Sequence, residues 1–165
     1  MQHKIKELLK NNKGVFLALD HGLEHGPKDF NQRTIDAEYV FNIAKEGKYN
    51  ALILQKGLAM KYYDSYRYKI PLILKLNGKT TMPKGLQPYS PQLCSVSKAI
   101  KLGADAVGYT IFYGSPFERE ILKELVDHLT RIKSAVDSKN TAELAQILRE
   151  ANHWYMKNPE FNPLG

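Results

Sequence analysis

The sequence predicts an α/β fold of about four parallel βα units, followed by a helical C-terminal tail. Three observations carry this. Apolar runs alternate with amphipathic segments over the first 127 residues, as strands joined by crossover helices do. The runs are apolar at consecutive positions, as parallel strands covered on both faces require. Their polar residues gather at the C-terminal strand ends.

The elements follow in order. GVFLALDHG (14–22) is a strand with a polar tip, and 34–47 has helical spacing through Ala37, Val40, Phe41 and Ala44, with Gly47 as its cap. NALILQKG (50–57) is a second strand, and the next dozen residues form a short helix or irregular segment. IPLILKLNG (70–78) is a third strand, with Pro71 at its start where a missing donor is tolerated. Residues 79–92 form a long loop. Residues 94–103 are helical and end at glycine, and ADAVGYTIFYG (104–114) is a fourth strand. Ser115, Pro116 and Glu118 then mark a helix start with a capping box.

The faces of these strands point to a partial TIM (β/α)8 barrel. Leu72, Leu74 and Leu76 share one face of strand three, and Ile73, Lys75 and Asn77 the other. In strand four Ala106, Gly108 and Thr110 oppose Val107, Tyr109 and Ile111; in strand one Ala18 and Asp20 oppose Leu17 and Leu19. Large residues would cover the helix side and small or polar ones the axis. Asp20, Gln55, Lys56, Lys75, Asn77 and Thr110 stand at the strand ends, where this architecture builds its active sites.

Composition narrows the function classes. A net charge of +7 favours anionic ligands, but the lysines are scattered, which argues against nucleic acid. No run is long and apolar enough for a membrane span, and the basic, polar start lacks a secretory signal's apolar region. The single cysteine, Cys94, excludes an intramolecular disulfide and fits a cytoplasmic setting. No Cys/His cluster has zinc spacing.

LDHGLEHGPKDF (19–30), LILQKG (52–57), PLILKLNGKT (71–80) and QLCSVSKAIKLGADAVGYTIFYGS (92–115) occur in register. Together they resemble the N-terminal half of the archaeal/bacterial class I, Schiff-base fructose-bisphosphate aldolases, over about residues 14–127. The resemblance implies reversible cleavage of fructose 1,6-bisphosphate to dihydroxyacetone phosphate and glyceraldehyde 3-phosphate. Such chemistry needs an iminium-forming lysine, a general acid/base and cations for the phosphates. No cofactor is implied, and no metal, because the iminium replaces a Lewis acid. Asp20 matches the family's active-site aspartate, which binds or polarises substrate hydroxyls; its alternative is a loop cap.

His21, Lys56 and Asn77 are candidate substrate-binding residues, and His25 a polar loop residue. Lys75 is the better placed of the two strand-end lysines. It could meet a phosphate or carboxylate, and desolvation would lower its pKa toward nucleophilic use. Tyr109 and Tyr113 are expected in the core, and tyrosines 62, 63, 66 and 68 in packing or an interface.

The family places its Schiff-base lysine on the sixth strand, after a Tyr-Pro-Arg-Gly motif, and neither is found here. Past about Leu125 the motifs stop. The chain is therefore expected to comprise a half-barrel (1–127) and a helical tail without counterpart (128–165), packed through Leu129, Ile132, Leu144, Ile147, Leu148 and Trp154. Open sheet edges would favour a homo-oligomer or pairing with a complementing C-terminal half. The competing functions are a related Schiff-base sugar-phosphate synthase or thiolase, or a noncatalytic half-barrel that binds a partner chain.

Overall fold

A computed structural model describes residues 8–11, 13–67, 69–82 and 89–135. They fall into two units. One holds the described residues up to Met82 together with Ser90–Thr110; the other holds Tyr89 and residues 111–135.

The first unit is a parallel sheet in the order β1 (Phe16–Leu19), β2 (Ala51–Leu54), β3 (Leu72–Lys75), β4 (Ala106–Gly108). The register aligns Leu19 with Leu54, Leu54 with Leu74, and Leu74 with Val107. In parallel strands such a row lies on one face. Leu52, Leu54, Leu72 and Leu74 on this face are wholly buried. Burial of each such side chain stabilises by roughly 1.5–3 kcal/mol. The opposite row is Ala18, Ile53, Ile73 and Ala106. Ala18 there is exposed and the rest are half-buried. The division into helix side and axis side is the one the residue pattern predicts.

Helices α1 (His21–His25), α2 (Ala37–Glu46), α3 (Lys56–Tyr62) and α4 (Val96–Lys101) connect the strands. Helix α2 packs on β1 and β2, and α3 on β3. The strands are shorter than their apolar runs because helices claim the polar tips. His21 opens α1 rather than extending β1, and Lys56 opens α3 rather than ending β2. Helix α2 starts at Ala37, not at 34. Asn31 folds the preceding residues into a turn, its Oδ1 accepting from the amides of Arg33 and Thr34, and Asp36 then caps the helix by accepting from the Glu38 amide. Gly47 ends α2 at φ −72°, and the left-handed residue is Lys48. Gly103, at φ 76°, does supply the left-handed turn after α4.

The tyrosines after α3 are packing residues. Tyr63 is buried and its hydroxyl donates to the Ile70 carbonyl; Tyr66 stands edge-on to Phe41, ring centres 5.0 Å apart. Tyr68 lies outside the described residues.

Polar side chains bracket both ends of β3. At its start the Asp105 carboxylate accepts from the Leu72 amide at 3.0 Å, while the Asp105 amide donates to the Leu72 carbonyl. Beyond its end, buried Asn77 donates from Nδ2 to the carbonyls of Thr110 and Ser90, and its Oδ1 accepts from the Thr110 amide at 2.8 Å.

In the second unit α5 spans Glu118–Ala135. Ser115 Oγ accepts from the Phe117 amide, but the Glu118 carboxylate accepts from the Gly114 amide. The expected capping box thus closes one residue early. Tyr89 donates to Glu124 and its ring lies 5.0 Å from Phe117. Tyr113 is 64% exposed, contrary to the core position expected for it, and Tyr109 of the first unit is half-buried. Leu129 is half-buried. The Ile132 side chain and the stretch carrying Leu144, Ile147, Leu148 and Trp154 lie outside the described residues.

Asn77→Ala removes three buried bonds and leaves backbone groups unpaired. It should cost about 2–3 kcal/mol. Urea unfolding checks the loss, and faster hydrogen exchange of the Thr110 amide would locate it.

Candidate active site at the strand ends

The register that aligns β3 with its neighbours sets Lys75 between two carboxylates. Asp20 follows β1 directly and is the residue preceding α1. Glu24 lies four residues on, one helical turn away, so both acids face the same way. The Thr81 amide and hydroxyl both donate to the Glu24 carbonyl, which holds α1 in place. Lys75 Nζ donates to Asp20 Oδ2 at 2.5 Å and also to Glu24 Oε1. The three side chains are 10%, 17% and 25% exposed, so the cluster is largely withdrawn from water.

Gly108 lies beside the lysine stem, where a Cβ would sit 3.4 Å from Lys75 Cγ, in ordinary van der Waals contact.

Burial by itself lowers the Lys75 pKa, but the hydrogen bonds and charges of Asp20 and Glu24 outweigh it and leave the pKa raised. The lysine is desolvated, yet its pKa does not fall toward nucleophilic use. Desolvation acts as anticipated, but two carboxylates hold the proton on the nitrogen. The cluster carries two negative charges against one positive. It suits hydroxyl donors, which a carboxylate can accept, better than a phosphate, for which Lys75 has no charge to spare.

The other sequence candidates are placed differently. His21 is half-buried with its ring against Phe30, centroids 4.8 Å apart. Lys56 is exposed at the first residue of α3. Both border the cluster without joining it. Asn77 is wholly buried and its amide is engaged with backbone, beneath the site rather than in it. His25 pairs with Asp29 at 2.5 Å. Cys94 is buried, and burial first of all raises its thiol pKa.

The sequence alone does not single out Glu24. The Asp20–Glu24 spacing of four signals a shared face only if the segment is helical, and Gly22, Gly26 and Pro27 are loop residues by propensity. Among the described residues no group of three or more His, Cys, Asp or Glu side chains could hold a metal ion.

Comparison with known proteins establishes the family and the fold. The DeoC/LacD family aldolase model matches residues 14–153. The chain belongs to that aldolase family. The match runs beyond residue 127, into the stretch where the sequence motifs stop. The chain is 48% identical over 118 residues to a class 1 fructose-bisphosphate aldolase of Thermoproteus tenax, covering 70% of this chain and 43% of the relative. It is 38% identical over 130 residues to a fructose-bisphosphate aldolase/6-deoxy-5-ketofructose 1-phosphate synthase of Methanocaldococcus jannaschii, covering 72% and 42%.

A solved archaeal fructose 1,6-bisphosphate aldolase superposes with a TM-score of 0.72 at 43% identity, over 81% of this chain and 52% of that one. The resemblance drawn from the motifs is thus borne out, as is the partial-barrel fold. The chain spans about half the length of the relatives it matches.

Removing Lys75 leaves two half-buried carboxylates facing each other. Lys75→Met should destabilise by about 2–3 kcal/mol. The pair's contribution has a definite sign with pH. Because the folded-state pKa is raised, it is complete below the unfolded value near 10.5 and is lost as pH rises through the folded value. Wild-type stability should therefore fall more steeply than that of Lys75→Met above about pH 10.5 in chemical denaturation.

Proposed function

We propose that this chain contributes the hydroxyl-binding side of a Schiff-base aldolase site acting on a phosphorylated ketose, fructose 1,6-bisphosphate. One observation carries the reading: a charged lysine held between Asp20 and Glu24 at the strand ends, within a sequence 48% identical to a class 1 fructose-bisphosphate aldolase. The carboxylates accept substrate hydroxyls, and Asp20, at the end of β1, is the residue that polarises them. Lys75 is a fixed cation that keeps both carboxylates oriented. It is not the iminium-forming amine, because an amine must shed its proton before it attacks a carbonyl. Asn77 is a positioning residue that holds the strand ends beneath the cluster.

The sugar-phosphate synthase reading has one observation in its favour, the dual name of the Methanocaldococcus jannaschii relative. A cytoplasmic setting fits the lone free thiol. No helix among the described residues is long and apolar enough to cross a membrane. The outer edges of β1 and β4 pair with no further strand among the described residues. The reading has them pair with further strands of a barrel, supplied by a complementing half or a second copy.

Borohydride reduction in the presence of dihydroxyacetone phosphate, followed by peptide mass spectrometry, tests the role of Lys75. The expected result is no adduct at that residue. A stoichiometric adduct on Lys75, abolished in Lys75→Arg, would make it the nucleophile and overturn the assignment.

A further inference from the structure

Asn77–Gly78 is the one Asn-Gly step in the sequence. In an open chain such a pair modifies itself. The glycine amide nitrogen attacks the asparagine side-chain carbon, and glycine, having no Cβ, leaves that approach uncrowded. Asparagine counts among the thermolabile residues for reactions of this kind.

The fold nevertheless requires both residues. Asn77 is wholly buried, and its Nδ2 donates to the carbonyls of Thr110 at 2.8 Å and Ser90 at 3.1 Å. Its Oδ1 accepts from the Thr110 amide. Gly78 has no space for a side chain. A Cβ there would fall 2.6 Å from Gln55 Nε2, 2.9 Å from Leu23 Cδ2 and 3.0 Å from Leu93 Cδ1. Pairing demands the asparagine and packing demands the glycine. Together they place a labile step at the exit of β3.

The contacts that require the pair also hold it closed. The attacking group, the Gly78 amide, donates to the Pro91 carbonyl at 3.2 Å. The leaving group, Nδ2, is held by two carbonyls. Gln55 Nε2 donates to the Asn77 carbonyl at 3.3 Å, which fixes the main chain between the reacting atoms. Ring closure swings Asn77 Cγ onto the Gly78 nitrogen, and that movement breaks the side-chain bonds to Thr110 and Ser90.

We propose that Asn77–Gly78 is a latent self-modification site, silent in the folded chain and switched on by local opening at the exit of β3. In the reaction the Gly78 nitrogen bonds to Asn77 Cγ and gives up its proton. The Cγ–Nδ2 bond breaks, and Nδ2 leaves as ammonia. Water then opens the cyclic imide, at Cγ to give aspartate or at the main-chain carbonyl to give isoaspartate. Neither product has Nδ2, so the bonds to the Thr110 and Ser90 carbonyls do not re-form. A carboxylate stands against those carbonyls instead, and an opening that reacts does not close again.

The test holds the full chain in mildly alkaline buffer, with and without unfolding concentrations of urea. Peptide mass spectrometry reads the amide-to-acid mass change and isoaspartate at residue 77. The folded chain should react there at least about a hundredfold more slowly than the unfolded chain, because only the open fraction reacts. Its residual rate should rise with sub-denaturing urea, in step with hydrogen exchange of the Gly78 amide. Equal rates in the folded and unfolded chains would overturn the proposal, and so would an unfolded chain that does not react. Asn77→Asp reproduces one product directly. It should unfold at lower urea than wild type and exchange the Gly78 amide faster. Wild-type stability and exchange in this variant would overturn the one-way opening.

Discussion

An ammonium group withdrawn from water must be matched by charge within hydrogen-bond reach, and the upper end of the sheet is arranged around that requirement. Lys75 arrives on the axis-facing side of β3 because the leucines on either side of it must face the helices. Its stem runs alongside Gly108 on the neighbouring strand. Its charge needs partners, which the first turn after β1 provides by becoming helical rather than looping away. Asp20 and Glu24 then fall on one side of a single turn, and Thr81 secures the far end of that turn. Several local features that look unrelated in the sequence answer one electrostatic demand.

The same economy governs the backbone. A four-stranded parallel sheet made of strands only three or four residues long has few ladder bonds. Side chains extend the pairing at both ends. Asp105 ties the entry of β3 to the residue before β4, next to a proline that has no amide of its own to give. Asn77 ties the exit of β3 to Thr110 beyond β4. Two polar residues thus lengthen the effective contact of β3 with β4 without lengthening either strand, and they brace the strand end that carries Lys75.

Much of this was legible in the residues. Alternation of apolar runs with amphipathic ones gave four parallel strands, and the contrast of Leu72, Leu74 and Leu76 with Ile73, Lys75 and Asn77 gave their faces. Asp20 and Lys75 were visible as strand-end polar residues. What was hidden depended on where helices begin. Composition gave α1 no signal, since its glycines and neighbouring proline are loop residues by propensity, and tertiary contacts override that preference. Glu24 is inconspicuous in the sequence for that reason. The direction of the Lys75 pKa was likewise beyond the sequence, because burial and carboxylate neighbours push it oppositely and only distances decide between them. Asn77 shows the converse limit: a polar residue at a strand end looks like a ligand-binding group until its partners are seen to be backbone.

The loop that leaves β3 is closed at its own base. Leu76 accepts the amides of both Leu93 and Cys94, Gly78 donates to Pro91, and Asn77 pairs with Gln92 and reaches Ser90. The chain departs and returns through one knot of main-chain bonds anchored under the site. Beyond that knot Thr81 still reaches back to the Glu24 carbonyl, so the start of the loop stays coupled to the cation through α1. The two feet of the loop are meanwhile bonded to each other. Strain entering at Thr81 is therefore felt at Glu24, while the exit of β3 is braced by its own return strand of chain.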